Sequence, residues 1–354
     1  MKLLLTVFPG LLPLATDELQ GRLNLKPVAT SRVRGSELLW IHTSHPSGLL
    51  ELRLCEDVFV EIDSLKLTGE TADLRQITKM LMRPEAFGVA VRAYELLRGQ
   101  LPARAIFRVV AQADDAVWRR YRRVDMQNAA EAGILRARPA WRLDVAEAPL
   151  EIWLHQVGRS VSVSLRLTTG LHRARGGRAV ERAAALRPTI AAAMVQASRP
   201  ADDDVFLDPM CGSGTLLLER AAAGRYGLLL GGDIDPAAVR ATLANFGPRH
   251  KPRRIERMDA RKLPLENASV DKFVTNLPWG HQIGRPQELP ELYAGVLAEA
   301  VRVVRPGGVL VLLTSEWEQL KRAIAVERGL ALERTVPKIE VLGRRADMFV
   351  LSRV

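Results

Sequence analysis

Cysteine is scarce: Cys55 and Cys211 are the only two in 354 residues, far apart and in no metal-ligand spacing. That argues against a disulfide framework and a zinc site, and for a reducing, cytoplasmic setting with no bound metal. Aromatic residues make up only 5% of the chain, too few for a lectin-like or repeat-stacking surface. Acidic residues fall short of basic ones, 40 against 51, which leaves a net charge of +11. A field of that sign gathers polyanions, so nucleic acid or an anionic membrane is the natural partner class. Long apolar runs are missing too: no stretch approaches the roughly 18 residues that span a bilayer, so no membrane-spanning segment is expected. The first residues, MKLLLTVFPGLLPLATDEL, imitate a secretory signal, but Pro9, Gly10 and Pro13 interrupt the apolar stretch and no small-residue cleavage site precedes the acidic TDEL. LLLTVF therefore reads as a first strand, followed by a turn and a helix. No internal repeat is present.

Residues 1–63 alternate strand-like pieces (LLLTVF, LLWIHT, DVFVEI) with helical ones (LATDELQGRL, SGLLELRLC), the pattern of a small α+β unit. Residues 64–168 add helices at ADLRQITKML and AFGVAVRAYELLRG, then a strand at RAIFRVVAQ. A helix carrying WRRYRRVDMQNAAEAGIL follows, and LEIWLHQV and SVSVSLRLT close the segment as a strand pair. Residues 169–187 are rich in glycine and arginine and mark the best boundary in the chain. Beyond it, strand candidates DVFLD, LLLGGDID, RIERMD, KFVTN and VLVLLTS alternate with helical stretches. That alternation predicts an α/β fold for residues 188–354: a doubly wound, Rossmann-like parallel sheet with helices on both faces. The end of the chain reads as a hairpin adding antiparallel edge strands.

Open α/β sheets bind ligands at the carboxyl ends of their strands. The first such end reads DPMCGSGT. Gly212 and Gly214 let backbone approach a ligand closely, and the helix from Thr215 offers unpaired N–H groups. The spacing is wrong for a dinucleotide fingerprint, and Asp208 ahead of the loop would repel a pyrophosphate; a ligand carrying an ammonium and a sulfonium, as S-adenosylmethionine does, would welcome it. The second end, GGDIDP, places Asp233 where an acid takes the ribose hydroxyls of an adenosine. Asp235 caps the helix that begins at Pro236. At the third end, MDAR, Asp259 is placed to accept from the adenine amino group, with the backbone of Ala260 facing the ring. Cys211, Ser213, Thr215, Ile234 and Asn276 are further expected cofactor contacts. Cys211 has no histidine near it in sequence and reads as a small loop-filling residue, not a nucleophile.

The fourth end, NLPWG, carries the chemistry. An exocyclic amine is a poor nucleophile because its lone pair is delocalised into the base. If Asn276 Oδ1 and the Leu277 carbonyl each accept one of its N–H groups, the nitrogen turns pyramidal and its lone pair faces the methyl donor. Pro278 stiffens the turn, and Trp279 offers a face on which an extruded base stacks. No strong base is needed, since the alkylated nitrogen is cationic and loses its proton readily; positioning and hydrogen bonding do the work.

DPMCGSGT, GGDIDP, MDAR and NLPWG, in this order, resemble the class I methyltransferases that act on exocyclic amines. FPGLLPLATDEL, the WRRYRRVDMQNA segment and LHRARGGRAVERAAALRPTIAAAM are similar to the RNA methyltransferases built from a ferredoxin-like unit (here 1–63), a THUMP domain (64–168), a linker (169–187) and a catalytic domain (188–354). The Asn-Leu-Pro-aromatic-Gly form is similar to tRNA guanine-N2 methyltransferases acting on the sixth nucleotide, in the acceptor stem. Leu277 stands where the wider family has proline, and Trp279 where Tyr or Phe is commoner. The resemblance implies that Pro188 and Thr189 lie near the methionine part of the cofactor. It also implies RNA contacts from Arg108, Arg119, Arg120, Arg122 and Arg123 in the accessory domain, and from Arg173, Arg175 and Arg178 in the linker. The expected protein is an S-adenosylmethionine-dependent tRNA methyltransferase forming N2-methylguanosine, with no obligate protein partner. The rivals are a ribosomal RNA guanine-N2 methyltransferase, a DNA adenine-N6 methyltransferase, and a non-catalytic RNA-binding protein that keeps a cofactor pocket.

Overall fold

The computed structural model describes the chain except for residues 34, 114–117, 147, 171, 173–179, 181, 183–184, 281–284 and 342. Two compact units emerge: Met1–Phe8 with Ala15–Arg173, and Pro9–Leu14 with Ala174–Val354. Among the described residues, no helix is long and apolar enough to cross a membrane.

The first unit is built on one eight-stranded sheet. In chain order its strands are β1 (Lys2–Val7), β2 (Ala29–Val33), β3 (Ser36–His42), β4 (Cys55–Lys66), β5 (Ile106–Gln112), β6 (Arg142–Leu143), β7 (Leu150–Val157) and β8 (Ser160–Arg166). They lie side by side as β2-β3-β1-β4-β8-β7-β5-β6. The 12-residue β4 pairs with β1 along its first half and with β8 along its second, so one continuous ladder runs through residues 63 and 64. Helices α1 (Leu12–Leu23), α2 (Ala72–Leu81), α3 (Gly88–Arg98) and α4 (Arg123–Ala137) accompany it. A Cβ on Gly133 would stand 2.7 Å from the Thr78 carbonyl oxygen, so the bare backbone of α4 is what lets it approach α2.

Two local expectations change. The stretch SGLLELRLC forms only a short 3-10 turn, Leu49–Glu51, because the Glu18 carboxylate accepts the Arg53 and Leu54 N–H groups (2.8 and 2.9 Å) and draws the chain out toward β4. Residues 118–122 lie outside the helix expected to carry them: Arg122 is extended and donates its N–H to Asp125 (2.7 Å), while the Tyr121 hydroxyl donates to buried Asp73 (2.7 Å). The helix thus begins only at Arg123, as a side-chain cap on its first turn dictates.

The second unit carries a seven-stranded sheet in the order β11-β10-β9-β12-β13-β15-β14. Its strands are β9 (Val205–Asp208), β10 (Leu228–Asp233), β11 (Arg253–Arg257), β12 (Val270–Asn276), β13 (Val304–Thr314), β14 (Leu330–Val341) and β15 (Arg344–Arg353). The five from β9 to β13 are parallel, and β15 and β14 form the antiparallel edge hairpin read from the sequence. The run VLVLLT in β13 is buried throughout, as expected of a parallel strand covered on both faces. Helices α5 (Pro188–Ala197), α6 (Thr215–Ala223), α7 (Pro236–Phe246), α8 (Leu289–Val303) and α9 (Trp317–Val326) are interleaved with the strands. The chain winds outward from β9 through β10 to β11, then returns to place β12 on the other side of β9. The sheet therefore reverses direction between β9 and β12, and a cleft opens beyond their carboxyl ends at such a point.

Candidate active site at the strand ends

Asp208 ends β9 and the loop 209–214 delivers the chain to α6. Gly212 and Gly214 hold φ of 56° and 82°, the left-handed region glycine tolerates. Backbone bonds seat the loop: Cys211 N–H donates to Gly232 O (2.7 Å) and Gly214 N–H to Cys211 O (2.7 Å). Two side chains of α7 grip it from the other side. Thr242 Oγ1 donates to Gly212 O (3.0 Å) and Asn245 Nδ2 to Ser213 O (2.9 Å). Sequence reasoning missed this pair, whose only signal is a three-residue spacing that places both on one helix face.

The acids divide sharply in environment. Asp208 is buried, accepting from Thr275 Oγ1 (2.8 Å) and Met210 N–H (3.2 Å). Burial pushes its pKa up to about 7, the two hydrogen bonds oppose that, and the nearby Asp233 charge adds to it. Among the described residues no arginine or lysine pairs with it. Asp233 ends β10; its Oδ2 accepts Gly212 N–H (2.9 Å) and its Oδ1 accepts Asp235 N–H (3.0 Å). Ile234 beside it is 56% exposed. Asp235 accepts Ala237 N–H (2.8 Å) as the cap of α7, and Arg182 pairs with its other oxygen. Asp259 is gripped by Arg261 through three hydrogen bonds of 2.8–3.1 Å. An incoming adenine amine would have to share an oxygen with that arginine. Ala260 beside it is buried.

NLPWG follows β12 directly. Leu277 N–H donates to Leu313 O (3.0 Å), extending the ladder to β13 by one bond that a proline has no hydrogen to make. The Leu277 side chain is buried in the core under the sheet. The Tyr293 hydroxyl donates to Pro278 O (2.7 Å) and lies 2.8 Å from Thr314 Oγ1, which itself accepts Glu316 N–H (2.9 Å). Burial pushes the Tyr293 phenol up, so it stays protonated and keeps donating. This clamp was also missed: Tyr293 reads as one more apolar position of α8. Gly280, at φ 74°, closes the turn where a Cβ would crowd Pro286 at 3.0 Å.

Three buried polar atoms at these strand ends have no hydrogen-bond partner among the described residues: Ser213 Oγ, Asn276 Oδ1 and Trp279 Nε1. Each costs about 1–3 kcal/mol as it stands, and folded chains leave few such atoms without a ligand or water to meet them. Together with an unpaired buried carboxylate and a side-chain-free loop, they fit a ligand that is cationic at one end and polar along its length. S-adenosylmethionine has that chemistry. Cys211 is buried, its Sγ 3.5 Å from Thr242 Oγ1, and burial pushes its thiol up, so it fills the loop and offers no thiolate. Thr189, also buried, and Pro188 open the first turn of α5.

The expected RNA-binding arginines have varied surroundings. Arg108 is paired with Glu151, which also binds buried Arg166 (2.9 Å). Arg119 lies over the Tyr121 ring, and Arg123 donates to Ala111 O (2.8 Å). Arg120 and Arg122 are highly exposed, at 75% and 82% of the side chain, in ion pairs with Glu70 and Asp125. Arg173, Arg175 and Arg178 lie outside the described residues.

Known proteins resemble this chain in part of its sequence and in its fold. The UPF0020 family, described as an RMKL-like methyltransferase domain, matches residues 175–336. The mouse protein named tRNA (guanine(6)-N(2))-methyltransferase THUMP3 is 30% identical over 230 residues, 60% of this chain and 45% of that protein. A Thermus thermophilus protein named tRNA (guanine(6)-N2)-methyltransferase is 33% identical over 178 residues, 48% of this chain and 50% of its own. The chain thus spans about half the length of the curated relatives it matches. In fold it resembles the crystal structure of TrmN from Thermus thermophilus, with a TM-score of 0.76 at 24% identity over 100% of this chain and 99% of that one. Residues 175–336 are thus similar to the UPF0020, RMKL-like methyltransferase domain, and the whole chain shares the fold of TrmN.

Proposed function

We propose that the protein is an S-adenosylmethionine-dependent methyltransferase that forms N2-methylguanosine in the acceptor stem of tRNA, at the sixth nucleotide. The observation that carries this reading is the buried, unpartnered Asn276 Oδ1, next to the Leu277 carbonyl at the reversal point of the sheet. Two acceptors on adjacent residues suit the two N–H groups of an exocyclic amine. The names carried by the mouse and Thermus relatives favour guanine N2 and position six.

In this reading Asp208, the loop 211–215, Asp233, Ile234, Asp259, Ala260, Pro188 and Thr189 hold the cofactor, which supplies an electrophilic methyl on a sulfonium. Asn276 Oδ1 and Leu277 O accept from the guanine amine and localise its lone pair. The Tyr293–Pro278 bond keeps those acceptors in place, so that no reorganisation is needed during reaction. Trp279 stacks the base, which must leave the duplex for its amine to reach the methyl. A net charge of +11 holds the RNA. Residues 1–63 and 64–168 serve as ferredoxin-like and THUMP segments joined by the linker 169–187 to the catalytic domain 188–354, with Arg120 and Arg122 highly exposed RNA contacts among the described residues.

The test is Asn276→Ala assayed on purified tRNA with a labelled methyl donor and nucleoside mass spectrometry. Wild type should yield N2-methylguanosine at one site; the variant should lose at least about a hundredfold in turnover, as expected when a positioned acceptor is removed, with tRNA and cofactor affinities within twofold. A product on another base, or RNA-dependent function that survives Asn276→Ala intact, overturns the reading.

A further inference from the structure

All eighteen Phe, Tyr and Trp residues lie among the described residues, and only Trp317 is exposed, at 40%. It opens α9, three residues beyond the end of β13. The register sets Leu313 of β13 beside Asn276 of β12, so Trp317 stands at the same edge of the sheet as the NLPWG turn. The two are fixed through one pair of hydroxyls: Glu316 N–H bonds Thr314 Oγ1, and Tyr293, bonded to that oxygen, holds Pro278 O. Lys321, one helical turn on, places its ammonium 4.7 Å from the indole centroid. Core packing does not require the indole, because Leu320 supplies the buried contact of α9.

Resting on the proposed reaction, we infer that Trp317 is a second stacking platform, taking a nucleobase that flanks the guanine withdrawn for methylation. Extrusion leaves a neighbouring base with one face uncovered, and an indole meets any base face without regard to sequence. An ammonium over one face draws π density toward itself, so the opposite face becomes less electron-rich and better suited to stack on an electron-rich purine. The acids nearby favour base over phosphate as the occupant. Glu316 accepts from Ser315 and Gln319, and Glu318 faces Arg322 at 3.9 Å, so the helix start presents little net positive charge to a backbone.

The test compares wild type with Trp317→Ala, Trp317→Phe and Lys321→Ala on tRNA. Trp317→Ala should raise the KM for tRNA about tenfold, with kcat and cofactor affinity within twofold and the loss undiminished at high salt. Trp317→Phe should restore most of it, which a merely structural role would not predict. Lys321→Ala should produce a smaller loss that shrinks as salt rises. Wild-type tryptophan fluorescence should be quenched on adding tRNA without cofactor, and part of that quenching should vanish in Trp317→Ala. Quenching is scored without methyl transfer. A protein that binds tRNA yet transfers nothing therefore refutes the proposed reaction, while unchanged KM and unchanged quenching in Trp317→Ala refute the stacking role alone.

Discussion

Replacing Asp208 by Asn removes a buried charge while keeping the shape and the oxygen that accepts from both Thr275 and Met210. In the folded protein Asp208 titrates at about 7, against an ordinary value of 3.8. An acid with a raised folded pKa binds its proton more tightly when folded. Its contribution to stability is therefore complete below pH 3.8 and is lost as pH climbs through 7. The two values differ by a little over three decades of proton activity at about 1.4 kcal/mol each, which sets a ceiling of roughly 4 kcal/mol. Without cofactor, urea unfolding should find Asp208→Asn more stable than wild type by up to that amount at pH 8, with the gap closing toward pH 4. With S-adenosylmethionine added at pH 8 the order should reverse, because a bound cation stabilises the ionised carboxylate and has nothing to gain from the amide. A stability difference that does not change between pH 5 and 8.5 would refute the assignment of Asp208 as an unpaired buried carboxylate awaiting a cation.

Tyr293→Phe strands Pro278 O and takes the acceptor from the Thr314 hydroxyl hydrogen, and should cost about 1–3 kcal/mol in denaturant unfolding and lower kcat while leaving cofactor affinity unchanged. Gly214→Ala forces a residue at φ 82° and sets its Cβ 2.8 Å from Thr242 Cγ2; about 1–3 kcal/mol of stability and most cofactor affinity should be lost by calorimetry. Adding Thr242→Ser, which deletes that methyl but keeps the hydroxyl bonded to Gly212, should recover the steric part alone. Asn276→Ala deletes an acceptor that no group in the described fold satisfies, so the cofactor-free variant should melt at or above the wild-type temperature even as its turnover collapses.

What could be read from the sequence follows the physics of each element. The second unit is legible because β9, β10 and β13 carry the short apolar runs of parallel strands buried on both faces, and β9, β10 and β12 each end on the residue that matters: Asp208, Asp233, Asn276. Asp235 before Pro236 was legible as a cap because that chemistry is local. The clamps were not. Thr242 and Asn245 look like solvent-facing helix polars, and Tyr293 like a core aromatic, until the chain folds and brings a carbonyl within reach of each. Residues 118–122 misled for the opposite reason: arginines are good helix formers, but Tyr121 bound to Asp73 and Asp125 bound to the Arg122 N–H end the helix before it reaches them.

Among the described residues of the second unit, the strand ends hold most of the buried polar atoms without partners. The same unit can satisfy a fully buried ion, as where Arg220 bonds Asp204, two backbone carbonyls and a third more weakly. At the reversal of the sheet it does the reverse, leaving a carboxylate unpaired and an amide oxygen, a hydroxyl and an indole N–H without partners within a few residues of the strand ends. A chain able to bury Arg220 so completely has no physical need to leave those four groups open. Their shared position, beyond β9 and β12 where the helices diverge, means that one ligand pair could meet all of them at once: a cation against Asp208, polar groups against Ser213, and an amine against Asn276. Tyr293, Thr314, Thr242 and Asn245 then have a common purpose, since unsatisfied atoms would collapse onto the nearest donor unless the backbone around them were held. The rigidity of the clamps and the openness of the acceptors are two halves of one arrangement, and neither makes energetic sense without the other.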